Sequence, residues 1–509
     1  MKSSRSLKWN TIANFFGIGY TTVTGIVIFP LYLQYLGPEA FGLVGFFTIL
    51  QAWMQLLDMG MSPLLSRQAA YSRGHKVDFF EIKKLLRSLE FIVFTLALVI
   101  FLSISAISDW ITNHWLNITS LPRHDVSICI MLMGAIIGLR FFSTLYRSGI
   151  QGLENQVRLN VANVILVSLK FIGALLLLQF ITNDFVYFFI YQLIIGVIEL
   201  ICMAAMFYSL MPSSERVGLN FFWNTLKPLI PFAAGIAYTA GIWVLLTQLD
   251  KIILSSILPL SEYGYFTLVA IISAGILSVT GPISQAILPR MTHLLSQGRE
   301  QDMLALYRNS TQIMAVIMLP LTGIIALFST ELLFAWSGDR RAAEWAGPIL
   351  FWFALGNGIF AISAFQYYLQ FAYGKLKMHV IYNSITASIQ IPLIIYVAFK
   401  HGALGVAVTW FALRLLTFII WTPIVHNKFA PGIHRPWFLK DIAPILICTT
   451  VLLLLVDGLN IDFAGLDRFG VFLTLGCTGL MMLMVNMLVS NASRRLLLSS
   501  FNKIRSMMP

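Results

Sequence analysis

The sequence predicts an all-α polytopic membrane protein with about 14 transmembrane helices, on two observations. Of its 509 residues, 58% are hydrophobic and only 11% are charged, whereas soluble domains average about 45–50% apolar and about 25% charged residues. The apolar residues also occur in long runs joined by short polar links. They do not show the alternation over about ten residues that is typical of outer-membrane barrels. A soluble, disordered or fibrous chain is therefore excluded.

Fourteen apolar runs approach or exceed the roughly 20 residues that cross a bilayer core about 30 Å thick. They span residues 12–36, 41–65, 89–107, 126–150, 159–180, 185–210, 229–253, 264–288, 313–334, 346–372, 380–399, 404–425, 442–456 and 469–489. The first run follows three basic residues but is too long, and lacks the small-residue site, for a cleaved signal. It is predicted to be the first membrane helix.

The distribution of basic residues tests this helix count and predicts an orientation. Of the 34 Lys and Arg residues, 25 lie in the two termini and in links on one side of the membrane, six lie in links on the other side, and three lie in mid-span. Cytoplasmic links carry such an excess of basic residues. Both termini are therefore predicted to be cytoplasmic. The net charge of +12 follows from this topology and from attraction to anionic lipid, so we expect no nucleic-acid partner.

Three short segments recur in the same order in the two halves of the chain. Gly-Ile-Gly-Tyr-Thr (17–21) resembles Gly-Ile-Ala-Tyr-Thr (235–239). Leu-Gly-Pro-Glu-Ala-Phe-Gly (36–42) resembles Leu-Pro-Leu-Ser-Glu-Tyr-Gly (258–264), and Ser-Pro-Leu-Leu-Ser-Arg (62–67) resembles Ser-Gln-Ala-Ile-Leu-Pro-Arg (284–290). The offset between the copies is nearly constant, as the matched positions 17/235, 42/264 and 67/290 show. Six predicted helices separate the copies, so both copies enter the membrane with the same orientation.

The repeat predicts two six-helix bundles related by a pseudo-twofold axis along the membrane normal, followed by two extra helices. The expected bounds are 1–215 for the N-terminal bundle, 216–430 for the second bundle, and 431–509 for the two extra helices and a cytoplasmic tail. A central site between such repeats is typical of alternating-access transporters. The sequence contains no CxxC pair, HExxH motif, Walker lysine motif or glycine-rich phosphate loop. We therefore expect no metal, no cofactor and no catalytic residues, and the short links exclude a soluble catalytic domain.

Three cations, Arg140, Lys170 and Arg414, lie near the centres of predicted helices four, five and twelve. A charge at this depth costs at least about 2.5–3.5 kcal/mol, so each should face protein or water. Arg147 lies two helical turns after Arg140 and shares its helix face. We expect these four cations to line a central cavity that binds an anionic group such as a diphosphate. The alternatives are a structural ion pair or snorkelling enabled by helix tilt for Arg140 and Lys170, and snorkelling of Arg147 to the nearby interface.

Four further charged residues are candidates for coupling or gating. Glu199 lies mid-span in predicted helix six, and Asp58 lies within predicted helix two. Either acid is a candidate proton or sodium site, or the partner of a neighbouring base. The adjacent Asp250 and Lys251 near the outer end of helix seven form a candidate gate or anchor, with a solvated ion pair as the alternative.

Three motifs carry a resemblance to a known family. They are Gly-Pro-Glu-Ala-Phe-Gly (37–42), Asp-Lys-Ile-Ile-Leu (250–254) and Ile-Leu-Pro-Arg (287–290). The sequence resembles the polysaccharide-repeat (O-antigen type) flippases of the multidrug/oligosaccharidyl-lipid/polysaccharide exporter superfamily over roughly residues 8–430. Many members of that family have twelve helices, so helices thirteen and fourteen are a departure from it.

The resemblance implies a flippase that moves polyprenyl-diphosphate-linked oligosaccharide repeat units across the bacterial inner membrane by alternating access. The product would serve the assembly of surface polysaccharide, that is lipopolysaccharide O-antigen, capsule or exopolysaccharide. The implied partners are the lipid-linked substrate, the bilayer, a polysaccharide polymerase and a chain-length regulator.

Two other functions remain as alternatives at this point. A cation-coupled multidrug or metabolite antiporter of related fold would favour an acidic cavity. A membrane polysaccharide polymerase or ligase would need a longer catalytic loop on the outer side. The clearest mid-span charges are three bases against one or two acids, so the sequence favours an anionic substrate and a flippase that is not an enzyme.

Overall fold

The computed structural model describes residues 2–73, 78–211, 218, 220–463 and 465–495. Nearly all of these residues are helical, and the described ranges contain no β-strand, only one isolated bridge between Asn117 and Pro259. The predicted all-α fold is confirmed. Four basic residues that contribute to the predicted inner-side excess lie outside the described residues, namely Lys76, Arg216, Lys503 and Arg505.

The chain divides into two compact units, Met1–Gly264 and Tyr265–Pro509. The helices of the first unit are α1 (Lys2–Leu36), α2 (Pro38–Met54), α3 (Met61–Arg73), α4 (Phe79–Trp110), α5 (Arg123–Gly152), α6 (Gln156–Ser168), α7 (Ala174–Phe180), α8 (Phe185–Ser209), α9 (Trp223–Leu226) and α10 (Ile230–Ile257). The next helix, α11 (Leu260–Ser278), begins in the first unit and ends in the second. This division follows packing, whereas the boundary predicted at residues 215/216 follows the sequence repeat.

Among its described residues, the second unit continues with ten further helices. They are α12 (Thr280–Ser296), α13 (Glu300–Leu327), α14 (Ser329–Ser337), α15 (Arg340–Ser363), α16 (Phe365–Ala372), α17 (Lys377–Leu416), α18 (Thr422–Phe429), α19 (His434–Pro436), α20 (Ala443–Gly458) and α21 (Arg468–Val489). Each unit has its own apolar core. Leu65, Leu89 and Phe207 are fully buried in the first, and Phe365 and Trp437 are fully buried in the second.

The described residues contain 13 helical segments that are long and apolar enough to cross a membrane. One of them, Lys377–Phe429, has 53 residues, more than twice the roughly 20 residues that a single crossing requires. Gly402 interrupts it with φ 57° and ψ −151°, a conformation that glycine adopts without a Cβ penalty. This segment therefore comprises two spans, and the prediction of 14 transmembrane helices is confirmed.

Several membrane helices differ from their predicted bounds, the third and the ninth by the most residues. The third, predicted over 89–107, extends over Phe79–Trp115, and the ninth, predicted over 313–334, is Glu300–Leu327. Both helices begin with charged turns, which a search for apolar runs leaves out. Long charged side chains at helix ends extend to the membrane interface, so such turns are compatible with a longer membrane helix.

Aspartates begin four of the long helices. The carboxylates of Asp78, Asp184, Asp339 and Asp467 each accept a hydrogen bond from a backbone N–H in the first turn of α4, α8, α15 and α21. Such caps satisfy N–H groups that have no partner within the helix. They explain why these helices begin where they do.

Two membrane helices are broken at corresponding places of the repeat. The second span ends in a 3₁₀ turn, Gln55–Asp58, and the chain passes through Met59 and Gly60, both with positive φ, into α3. In the second copy, α11 ends at Ser278 and α12 begins at Thr280. The two breaks, at positions 58 and 280, are as far apart along the chain as the matched repeat positions 42 and 264. They therefore lie at equivalent positions of the two copies.

Two glycines of the repeat make a reciprocal contact within the first unit. A Cβ on Gly42 would lie 2.1 Å from the carbonyl oxygen of Leu260, and one on Gly264 would lie 2.4 Å from the carbonyl oxygen of Pro38. Pro38 and Leu260 are separated by the same interval along the chain as the two glycines. The beginnings of α2 and α11 therefore cross through matching contacts, and glycine at both positions permits this close approach.

Candidate functional site

The first unit contains a cavity of about 230 Å³ whose lining is rich in charged and polar side chains. The residues around it are Gln51, Met54, Asp58, Ile137, Arg140, Phe141, Thr144, Arg147, Lys170 and Glu199. Five of the eight residues singled out in the sequence therefore lie around one cavity. They come from four parts of the chain, namely the end of the second span, α5, the fifth span and α8.

Helix α5 presents both arginines to the cavity. Residues 140, 144 and 147 recur on one face of a helix with 3.6 residues per turn, and all three line the cavity. Thr144 donates its hydroxyl to the carbonyl of Arg140, at 2.9 Å, so this hydroxyl is bonded within its own helix. The shared face of Arg140 and Arg147 is therefore present in the structure.

Neutral amides hold the guanidinium of Arg140. Its Nη1 donates to Oε1 of Gln51, and its Nη2 donates to Oε1 of Gln192 at 3.2 Å. Its Cζ lies 5.2 Å from the ring centroid of Phe47, and its buried Nε has no hydrogen-bond partner. No carboxylate among the described residues forms a salt bridge with it. The charge of Arg140 is thus held in place without being neutralised by a direct ion pair.

A π-helical turn, Leu169–Gly173, surrounds Lys170 in the fifth span. Such turns interrupt the regular hydrogen-bond ladder and occur frequently at functional sites. Side chains from other helices bind its carbonyls: Gln192 donates to the carbonyl of Lys170 at 3.0 Å, and Tyr32 donates to that of Phe171 at 2.8 Å. Gln192 therefore positions the backbone of Lys170 and the guanidinium of Arg140 at the same time.

Gln51 and Gln192 are functional candidates that the sequence argument did not identify. The usable signal is an amide side chain within an apolar run, because a buried amide must find hydrogen-bond partners. Gln192 is only 3% exposed. Neither side chain carries a charge, so the criterion of a mid-span charge does not select them.

Arg147 and Glu199 form the only salt bridge that the described residues contribute to this cavity. Nη2 of Arg147 lies 2.7 Å from Oε1 of Glu199, and Nη1 donates to Oδ1 of Asn163 at 2.6 Å. Of the two roles predicted for Glu199, the structure shows the partner of a neighbouring base. A coupling role for this carboxylate stays a prediction.

Asp58 lies in the 3₁₀ turn that ends the second span, whereas the sequence predicted it inside a continuous helix over 41–65. The helix breaks here because Met59 and Gly60 adopt positive φ. The carboxylate accepts hydrogen bonds from the backbone N–H of Ser62 at 3.2 Å and from its hydroxyl at 2.6 Å. Asp58 thereby caps the first turn of α3, as aspartate does at many helix N-termini.

The described lining of the cavity has an excess of positive charge. Its three bases are Arg140, Arg147 and Lys170, and its two acids are Glu199 and Asp58. Lys170 forms no salt bridge with any described residue, and its Nζ lies 5.3 Å from the ring centroid of Phe171. Two cations without a carboxylate partner create an electrostatic site for an anion, and guanidinium groups bind phosphate oxygens in bidentate fashion.

The other predicted site residues lie elsewhere. Arg414 is in α17 of the second unit, 5% exposed, with its Cζ 4.0 Å from the ring centroid of Trp410. Asp250 and Lys251 form an ion pair of 3.2 Å in α10, and Asp250 is 4% exposed. A common site for Arg414 and the first-unit cations, and a gate at Asp250, stay predictions. The described residues contain no group of three or more His, Cys, Asp or Glu side chains with metal-binding geometry.

The sequence matches a family described as polysaccharide biosynthesis protein over residues 7–295. It is also similar to a Shigella flexneri protein that carries the provisional name O-antigen transporter. The two are 23% identical over 407 residues, which are 79% of this chain and 93% of that protein.

The fold is similar to those of solved membrane transporters. The lipid II flippase MurJ, in an inward closed conformation, has a TM-score of 0.64 at 14% identity, covering 94% of this chain and 97% of that chain. An inward-facing multidrug resistance transporter of the MATE family, in the MOP superfamily, has a TM-score of 0.59 at 12% identity, covering 81% and 96%. At such low identity these two matches concern the fold, and they confirm the predicted fold class.

Proposed function

The chain belongs to the polysaccharide biosynthesis protein family, and we propose that it is a flippase for lipid-linked oligosaccharides. In this proposal the substrate is a polyprenyl-diphosphate-linked repeat unit, which crosses the bacterial inner membrane by alternating access for the assembly of surface polysaccharide. The protein acts as a transporter and not as an enzyme. The names of its relative in Shigella flexneri and of its structural neighbour MurJ support this class of substrate.

The observation that carries the proposal is the uncompensated positive charge of the first-unit cavity. Arg140 and Lys170 lack a carboxylate partner among the described residues, and both face the same space. A diphosphate offers the anionic oxygens that such groups bind. The volume of about 230 Å³ corresponds to several water molecules of about 30 Å³ each. We therefore assign the cavity to the diphosphate, with the oligosaccharide extending beyond it.

Arg147 supplies a second binding mode for the same anion. Its guanidinium has five N–H donors, and in this structure two of its nitrogens bind Glu199 and Asn163. An anion that enters the cavity competes with Glu199 for Arg147. Arg414 remains in the proposal as a fourth cation, on the basis of its predicted depth.

The acids of this cavity fit an antiporter for cations less well. Glu199 is bound to Arg147, and Asp58 caps α3 through Ser62, so both carboxylates are already engaged. A polymerase or ligase would need a catalytic loop, yet only seven residues, 116–122, separate the end of the third span at Trp115 from Arg123 at the start of α5. Both observations favour the flippase.

The proposed orientation places both termini in the cytoplasm. Single cysteines introduced after Val456 and in the C-terminal tail would report the side of each segment by labelling with a membrane-impermeant thiol reagent. We expect labelling of the link between α20 and α21 in intact spheroplasts, and labelling of the tail only after lysis. Labelling of the tail from the periplasmic side would contradict the orientation.

The function is tested by deletion and complementation in a strain without a second flippase. We expect deletion to abolish surface polysaccharide while lipid-linked repeat units accumulate on the cytoplasmic leaflet, and the native chain to restore export. The Arg140→Ala and Lys170→Ala chains should insert normally without restoring export, whereas Lys400→Gln, which removes an exposed cation outside the cavity, should restore it. Normal arrival of repeat units on the periplasmic face in the deletion strain would refute the proposal.

A further inference from the structure

A second concave surface lies in the first unit, between α4, α5 and α8. Its wider end has a volume of about 730 Å³ and is lined by Arg87, Glu90, Tyr146 and Tyr208 among others. Its narrower end, of about 310 Å³, is almost wholly apolar. Because Phe94 and Phe142 line both ends, the two form one continuous surface, which we call the lipid groove.

The wide end of the lipid groove holds a pair of opposite charges. Nη1 of Arg87 lies 2.8 Å from Oε2 of Glu90, and Oε1 of Glu90 accepts hydrogen bonds from Tyr146 at 2.7 Å and from Tyr208 at 2.5 Å. A guanidinium has five N–H donors, and a carboxylate has about four acceptor positions. The contacts with described residues therefore leave several N–H donors of Arg87 for an anion, and one acceptor position of Glu90 for a cation.

The apolar part of the lipid groove has the length of one bilayer leaflet. The apolar lining on α4 runs from Phe91 to Phe101, a rise of about 15 Å at about 1.5 Å per residue. Half of a bilayer core is about 15 Å. Phe91 and Phe94 are 60% and 58% exposed, so their rings are available to a hydrocarbon chain. The groove therefore matches one lipid of a single leaflet, with its headgroup at the charged pair.

The packing of α5 on α8 separates the lipid groove from the cation-lined cavity. The salt bridge between Arg147 and Glu199 joins the two helices at 2.7 Å. A Cβ on Gly149 would lie 2.4 Å from the ring of Phe207, which shows how closely the helices approach. The occupant of the groove is therefore separate from the ligand of the cavity.

We propose that the lipid groove binds one phospholipid with an amine-bearing zwitterionic headgroup, of the phosphatidylethanolamine class. Arg87 binds its phosphate, Glu90 accepts from its ammonium group, and one acyl chain lies along Phe94. A headgroup of paired charges complements the paired charges of the site, whereas a purely anionic headgroup has no donor for the remaining acceptor position of Glu90. This site is independent of the flippase proposal.

The test uses the full-length chain in nanodiscs that contain equal amounts of phosphatidylethanolamine and phosphatidylcholine, followed by native mass spectrometry of the retained lipid. Phosphatidylcholine has no N–H to donate to Glu90. We expect one retained phosphatidylethanolamine per chain, with a preference of about tenfold, because a hydrogen bond to a charged group distinguishes the two lipids. Phe94→Ala should reduce retention, whereas Leu102→Ala should not. Leu102 is 55% exposed on the same helix and lies outside the groove.

A second variant tests recognition of the headgroup and leaves the apolar lining of the groove unchanged. Glu90→Gln keeps an acceptor for the two tyrosine hydroxyls but removes the negative charge, so the preference for phosphatidylethanolamine should disappear while one phospholipid is still retained. Equal retention of the two lipids by the native chain would overturn the proposal. Unchanged retention in Phe94→Ala, or retention of a polyprenyl lipid in place of the phospholipid, would overturn it as well.

Discussion

Helices α5 and α15 each extend one polar side chain to two neighbouring helices, but only one of these side chains is charged. In the first unit, Arg140 donates to Gln51 and Gln192. In the second unit, Asn357 donates to the carbonyl of Ser273 at 3.3 Å and accepts from Nε1 of Trp410 at 3.2 Å.

The two clusters occupy the same place in the two copies of the repeat. Their members pair as positions 140/357, 51/273 and 192/410, and the intervals are close to those of the matched motif positions 17/235 and 42/264. In the second copy a neutral amide, 1% exposed, holds the three helices together. A charge is therefore not required for this packing, and the proposed function attributes the charge in the first copy to binding of the anionic substrate.

The largest expected effect comes from making the first copy like the second. Arg140→Asn should reduce export of repeat units about 10- to 100-fold, because a hydrogen bond to a charged group contributes about 1.5–3 kcal/mol. The amount of inserted protein should change little. Complementation of a deletion strain, with surface polysaccharide and protein quantified together, measures both.

Arg140→Lys serves as the matched control for this substitution. It keeps the charge and loses the planar fork, so we expect partial export. Normal export by Arg140→Asn would show that the charge is dispensable and that the two copies are functionally equivalent.

The reverse exchange tests whether the second copy tolerates a charge. Asn357→Arg should destabilise the protein by about 3 kcal/mol or more, because it places an ion in a buried position that is filled by a neutral amide. Thermal unfolding of the purified protein and its abundance in the membrane both report this loss. Asn357→Ser, which removes one neutral side-chain bridge, should cost about 1 kcal/mol. If Asn357→Arg unfolds at the same temperature as the native chain, the second copy tolerates a charge at this position as well as the first copy does.

The reciprocal glycine contact provides a further comparison of the two copies, because substitution of either glycine should destabilise the protein equally. Gly42→Ala and Gly264→Ala each place a Cβ within 2.4 Å of a backbone oxygen, so each should destabilise the protein by about 1–3 kcal/mol. Gly19→Ala is the control, because nothing lies within 4 Å of its added Cβ. A loss of stability in only one of the two variants would contradict the reciprocal contact.

The smallest effect is expected at Asp58. Asparagine caps helices about as well as aspartate, whereas alanine costs about 1 kcal/mol. Asp58→Asn should therefore retain both stability and export, and Asp58→Ala should lose some stability, as measured by thermal unfolding and by complementation. Loss of export by Asp58→Asn at a normal protein level would identify this carboxylate as a coupling site.

The span count, the repeat and the face shared by Arg140 and Arg147 were predictable because they depend on hydrophobic periodicity and on spacing along one helix. The partners of those residues were not, because an amide such as Gln192 acquires its role only when helices distant in sequence pack together. Two local features also lacked a sequence signal. One is the π-helical turn at Lys170, and the other is the positive φ of Met59, which turns Asp58 from a mid-helix acid into a cap.

The central claim is that Arg140 and Lys170 bind an anionic lipid diphosphate. Its most direct test is the equilibrium binding of polyprenyl diphosphate to the purified full-length chain in nanodiscs. We predict that Arg140→Gln and Lys170→Gln each weaken binding about tenfold or more, since each removes a charge-assisted hydrogen bond. Lys400→Gln, at an exposed position outside the cavity, should bind like the native chain. Native affinity in both cavity variants would contradict the claim.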